Sequence, residues 1–267
     1  MIGSLLGVPL AMMPPIFTPK RSRCLEIAQA CADLDRSPMG PASGVGAREL
    51  ADAISILIPS KIYDPDALGG FRRTALPIDC IEREARSLCS RSKVDVALVL
   101  ETHRRVLELS GRTLRKSSFR TAELMVGVNT SNAHGFIAPL ADFRREVDWL
   151  LGLVRNDVKG VAGAAAAFLW YFLHLHPFHD GNGRTSRLIL LRLASERWGA
   201  SSFEFASLLN LLLHVEYRKM EFVHAMFRSR DGDVSVLRDF VVDGLGRPLT
   251  GNMAPAAWRG GAEELWP

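Results

Sequence analysis

The stretch HLHPFHDGNGRTSR, residues 174–187, gathers three histidines, an aspartate, two glycines around an asparagine, and two arginines. Residues of these types can build a metal site, a phosphate site or merely a polar turn. His176 titrates near neutrality when unperturbed and is placed to take a proton from an incoming hydroxyl. Gly181, Asn182 and Gly183 suit positive φ or close approach by a ligand. They run directly into a helical pattern, whose first turn has unpaired N–H groups and a positive dipole end; together these make an anion site. Arg184 and Arg187 lie three apart on one side of that turn. Two guanidinium forks suit a polyphosphate better than a single carboxylate. Asp180 would be repelled by phosphate unless a cation mediates, and Mg²⁺ is commonly held by one or two carboxylates plus phosphate oxygens. Phe178 reads as an anchor beneath the loop. A zinc site would draw on His174, His176, His179 and Asp180 together, but it leaves the Gly-Asn-Gly turn and the arginines unexplained. His174 reads as packing or local hydrogen bonding, and His179 as solvent-facing.

Positioning such a loop requires two packed helices. VAGAAAAFLWYFLHL, residues 161–175, is apolar nearly all round, and at fifteen residues it is a buried helix rather than a membrane span. Pro177 ends it, lacking an N–H and clashing one turn back. Leu190, Leu193 and Ala194 give the following helix a core face. Upstream, Leu50, Ile54, Leu57 and Ile58 recur at helical spacing, as do Ile81, Ala85 and Leu88. Val96, Val99, Leu100, His103, Val106 and Leu107 mark another stripe, and Phe143, Val147, Leu150, Leu151 and Val154 a fourth. Further helices are predicted over Arg184–Arg197, Phe203–Leu213, Tyr217–Phe227 and Val234–Leu245. Residues 117–140 depart from this pattern. Their alternating and β-branched residues around a turn at Asn129–Asn132 predict a β-hairpin.

The whole chain sets broad bounds. Its 267 residues, 48% hydrophobic and 23% charged, can bury a core without disulfides or metals. A net charge of +4 permits nucleic-acid binding without arguing for it. Cys24, Cys31, Cys80 and Cys89 show no C-x-x-C spacing and read as reduced thiols. The first residues are apolar and then basic, the reverse of a secretory signal, and are interrupted by Pro9, Pro14, Pro15 and Pro19. The expectation is a cytoplasmic protein without a membrane span, or one delivered into another cell without a cleaved signal. Residues 1–46 read as loop or linker. The expected division is an N-terminal region over 1–77, a helical domain over 78–246 and a tail over 247–267.

HPFHDGNGRTSR meets every specified position of H-x-F-x-[D/E]-G-N-G-R-x-x-R, the signature of the Fic family, and residues 78–245 resemble that family more broadly. The resemblance implies a mostly α-helical bundle with a small β-hairpin flap. It also implies transfer of AMP from ATP to a Ser, Thr or Tyr hydroxyl of a target protein, with release of pyrophosphate. It makes His176 the general base and Asp180 the Mg²⁺ ligand. Gly181, Asn182 and Gly183 become the anion hole, with Asn182 on the α-phosphate side, and Arg184 and Arg187 hold the outer phosphates. The flap, Met125, Val126, Gly127 and Val128, would clamp the target by strand addition, which reads backbone rather than sequence. Transfer of UMP, GMP, phosphocholine or phosphate is the alternative within enzymes; a toxin or regulator that acts by binding alone is the alternative outside them. Glu216 and Tyr217 could reach the nucleotide's base or simply pack.

Many Fic proteins resemble one another in carrying an inhibitory helix, [S/T]-x-x-x-E-[G/N], whose glutamate pairs with the second arginine of the motif. No glutamate of this chain is followed by Gly or Asn. Residues 81–93, where such a helix would sit, end in Arg91, Ser92 and Lys93. The expectation is a chain that is active as purified or held by a separate antitoxin-like partner.

Overall fold

The computed structural model describes residues 15–32, 45, 47–58, 61–63, 71–73, 77–89, 93–109, 117–126 and 135–246. Helices α1 (Arg21–Ala32) and α2 (Ala47–Leu57) come first, followed by a short antiparallel pair, β1 (Lys61–Tyr63) and β2 (Phe71–Arg73). Then come α3 (Ile78–Cys89), α4 (Val96–Glu108), β3 (Leu124–Val126), β4 (Phe136–Ala138) and α5 (Phe143–Gly152). A π-helical turn over Leu153–Asp157 precedes α6 (Val161–Leu175), α7 (Asn182–Arg197), α8 (Phe203–Tyr217), α9 (Lys219–Arg230) and α10 (Ser235–Gly246). The fold is mostly α with a small hairpin, as the periodicities predict. No described helix is long and apolar enough to cross a membrane.

The all-round apolar α6 is the central helix. Fourteen of its fifteen residues are buried, Leu173 being the exception. Helices α1, α5, α7, α8 and α10 pack around it. Its small-residue stretch sets how closely α1 can cross. A Cβ on Gly163 would lie 2.7 Å from the Ala28 carbonyl oxygen, so a side chain there would force the helices apart.

That crossing corrects the reading of residues 1–46 as loop or linker. Residues 21–32 form a core helix with Cys24, Ile27, Ala28 and Cys31 buried. The flanking prolines and glycines dominate the local sequence, and the buried face sets one Ile among Cys and Ala, which together give a weak apolar stripe. Polar contacts fix the helix further. Arg21 makes a two-pronged pair with Glu146, both contacts at 3.0 Å, and Arg23 donates twice to the Ser229 carbonyl near the end of α9. Helix α3 docks on α7 through the buried pair Glu84–Arg192.

The hairpin pairs Leu124 with Ala138, Met125 with Ile137 and Val126 with Phe136. The residues just before α1 add to it. The Phe17 N–H donates to the Ile137 carbonyl at 3.0 Å, and the Ile137 N–H donates to the Pro15 carbonyl at 2.9 Å. The outer edge of β4 is therefore closed. Among the described residues, no strand pairs with the outer edge of β3.

Candidate active site

Helix α6 ends at His176, which adopts the left-handed conformation with φ 48° and ψ 59°. It is the one non-glycine residue with positive φ among those described. For a residue with a Cβ this costs roughly 1–2 kcal/mol, so the surroundings must enforce it. Pro177 follows and turns the chain. Phe178 is fully buried, stacked against His103 with ring centroids 3.7 Å apart, and is the anchor the sequence predicts. Gly181 has φ 77°, and a Cβ there would crowd the Leu107 side chain of α4 at 3.3 Å, so glycine answers both demands.

The His176 ring is oriented by one contact. Its Nδ1 lies 3.1 Å from the Leu173 carbonyl oxygen. A carbonyl only accepts, so Nδ1 carries the hydrogen and Nε2 of the neutral ring keeps its lone pair. Burial pushes the imidazole pKa down to about 4. The group is thus neutral and able to accept a proton at physiological pH. The other two histidines of the stretch sit as read from the sequence. His174 is buried, with Nδ1 donating to the Trp170 carbonyl at 2.8 Å, and His179 is exposed.

Asn182 begins α7, yet its carboxamide is engaged with the loop. Oδ1 accepts from the Phe178 N–H at 3.0 Å, and Nδ2 donates to the Phe178 carbonyl at 2.8 Å. The residue is buried, so what it offers an anion is its backbone N–H rather than its side chain. A Cβ on Gly183 would approach only the Arg187 guanidinium, at 3.6 Å, leaving room there for a ligand. The Asp180 carboxylate accepts from the Gly181 N–H at 2.6 Å, stands 3.5 Å from Arg184, and is 42% exposed. A partly exposed carboxylate at an anion-ready helix start fits the one-carboxylate share of a Mg²⁺–phosphate site.

Arg187 lies deeper, 9% exposed, with a guanidinium N–H donating to the Leu57 carbonyl at 2.8 Å and Glu216 at 3.3 Å. Its Nε has no hydrogen-bond partner among the described residues. Glu216 therefore reaches the second motif arginine. The buried acid of α3, Glu84, pairs instead with Arg192 and Arg105.

Two residues that brace the site were not singled out as functional from sequence. His103 fell on the predicted core stripe of α4. Its Nε2 lies 3.0 Å from the Asp180 carbonyl oxygen and its Nδ1 2.5 Å from the Ser117 hydroxyl. The carbonyl fixes Nε2 as the donor, so Ser117 donates to Nδ1. A titratable residue on an apolar stripe was the available signal. Arg120, 3% exposed, donates to backbone carbonyls on both sides of the site. Met125 and Val126 lie on β3, while Gly127 and Val128 fall outside the described residues.

A helical bundle whose central helix turns through a positive-φ histidine into a second helix, with a hairpin alongside, has the architecture of a Fic-type fold. Residues 93–194 match the Fic/DOC family model, and the chain carries a Fic domain. It is 29% identical over 159 residues to the protein adenylyltransferase Fic of Drosophila willistoni, covering 59% of this chain and 29% of that protein. The corresponding protein of Drosophila grimshawi is likewise 29% identical over 159 residues, with 59% and 30% covered. The chain thus spans under a third of the length of these curated relatives. A Fic family protein from Desulfovibrio desulfuricans G20 shares the fold, with TM-score 0.51 and 16% identity, over 87% of this chain and 74% of that one.

Proposed function

We propose that this chain is a protein adenylyltransferase, moving AMP from ATP to a Ser, Thr or Tyr hydroxyl of a target protein. The observation that carries the reading is the His176 ring. It is neutral, its Nδ1–H is held by the Leu173 carbonyl so that Nε2 keeps its lone pair, and it lies where a buried helix meets an anion-ready one. As the target oxygen attacks the α-phosphorus, Nε2 takes the hydroxyl proton. The bond from the α-phosphorus to the bridging oxygen breaks, and pyrophosphate leaves. The N–H groups at the start of α7 meet the phosphate charge, with Arg184 and Arg187 toward the outer phosphates. Bound at Asp180, Mg²⁺ would supply charge neutralisation to the polyphosphate.

ATP labelled at the α-phosphate should label protein in the presence of this chain, whereas ATP labelled at the γ-phosphate should not. Chelation should stop the transfer. Label arriving only from the γ-position would make the chain a kinase, and label from neither would leave a binding protein.

The hairpin offers a defined edge to the target. Both backbone groups of Ile137 are used by residues 15–17, so its partner Met125 is a non-hydrogen-bonded pair whose N–H and C=O point out from β3. Met125 is also 41% exposed. The N–H of Val126 instead faces β4. Proline at Met125 should therefore lower target labelling about tenfold, the loss of the one edge hydrogen bond its N–H would donate, with ATP affinity unchanged. Equal loss of labelling and ATP affinity on titration would place target binding elsewhere.

A further inference from the structure

We propose that Arg120 is a positioning residue that ties the target-facing hairpin to the His176 turn, so that the hairpin's place sets where the incoming hydroxyl meets the histidine. The inference rests on the reading above of His176 and of the hairpin edge.

The guanidinium lies between the two elements and bonds to both. On the α6 side, Nε donates to the His176 carbonyl at 2.8 Å and Nη2 to the Leu175 carbonyl at 3.4 Å. On the hairpin side, Nη1 donates to the Ala122 carbonyl at 2.6 Å and Nη2 to the Pro139 carbonyl at 2.7 Å. Ala122 stands two residues before β3 and Pro139 one residue after β4, so both ends of the hairpin are held. The Arg120 backbone N–H adds a bond to the Pro177 carbonyl at 2.9 Å. The cation lies 4.7 Å from the centroid of the Phe143 ring.

A helix C-terminus attracts a cation, and an arginine that only capped α6 would need the Leu175 and His176 carbonyls. The Ala122 and Pro139 contacts add nothing to a cap. They make the side chain a strut between the element that would hold the target and the turn that holds His176. A buried cation is costly unless well bonded, and here its partners are carbonyls of two separate elements. The planar fork is what allows one side chain to span them; a lysine ammonium, a compact point charge, cannot reach both sides at once. The His176 carbonyl bond also acts on the residue in the left-handed conformation, so the strut bears directly on the ring's backbone.

The test is Arg120→Lys in the full chain, with auto-labelling by α-phosphate-labelled ATP as the readout and His176→Ala in parallel. The expected result is a kcat lower by about 10²-fold, the scale of a misplacement near 1 Å, with KM for ATP and ATP affinity within about twofold of the parent. A kcat within about twofold of the parent overturns the strut, and so does a parallel loss of kcat and ATP affinity, which a merely structural role would give. If His176→Ala labels normally, the underlying reading fails instead. Should Arg120→Lys not fold, or the parent not label itself, native-state hydrogen exchange on the parent decides. The amides of Ile137 and His176 are expected to exchange through one common opening. Opening of the hairpin that leaves the His176 amide protected overturns the proposal.

Discussion

Replacing His176 with alanine is expected to lower AMP transfer by ~10²–10⁴-fold, the usual contribution of a general base, while ATP affinity stays close to that of the parent. The division follows from where the ring acts: it receives a proton as the new bond forms and holds no phosphate in the ground state. Calorimetry with ATP and α-label transfer, measured on the same preparation, would separate the two. A variant that labels its target at the parent rate would remove His176 from the chemistry. The pH profile gives a second check. The folded pKa is depressed to about 4 from an ordinary 6.5, so kcat/KM should stay level from pH 8 down to about 5 and fall as the pH approaches 4. A profile already falling at pH 6.5 would mean the base titrates normally. Stability should follow the same sign. The unfolded chain takes up the proton near 6.5 and the folded chain only near 4, so stability is complete above 6.5 and is lost as pH falls between those values. His174, also held near 4 by burial, adds to that slope.

The motif loop and the helices around it were legible because they depend on local sequence. An all-round apolar run, a proline stop and a Gly-Asn-Gly turn each impose their own backbone outcome, and the structure places α6, Phe178 and Gly181 accordingly. The hairpin was legible from alternation. What escaped were partners brought together across long separations. Arg23 reaches Ser229 over 206 residues and Arg187 reaches Leu57 over 130, and no periodicity in either segment announces the other. Helix α1 was missed for a second reason. Apart from Ile27, its core face consists of small residues whose value lies in permitting a close crossing at Gly163, which depends on the partner helix rather than on their own hydrophobicity. Arg120 was not singled out because its acceptors are backbone carbonyls, which carry no sequence signature.

Replacing Glu216 with alanine is expected to lower the KM for ATP about tenfold or more and to reduce the stability of the ATP-free chain. No glutamate of the chain carries the inhibitory signature, and the carboxylate that reaches Arg187 comes from α8, after the motif. The Leu57 carbonyl at the end of α2 reaches the same guanidinium. A guanidinium engaged by a carboxylate and a carbonyl must give up one or both to bind an outer phosphate, and a nearby carboxylate also repels the incoming polyanion. Hydrogen bonds to charged groups contribute about 1.5–3 kcal/mol, which is about 10–150-fold in an equilibrium. Burial already draws the Arg187 pKa down while Glu216 acts in the opposite sense. Without Glu216 the buried cation loses its carboxylate partner, so the ATP-free chain should melt lower and gain more from added ATP. A chain starting near Asp95 would be a poorer test, because it removes the buried faces of α1, α2 and α3 along with the Leu57 contact. Melting curves with and without Mg²⁺–ATP, beside initial rates over a range of ATP concentration, read both effects. A Glu216→Ala variant with unchanged KM and an unchanged ATP-induced melting shift would show that Arg187 meets no phosphate, and that its pair with Glu216 only joins α7 to α8.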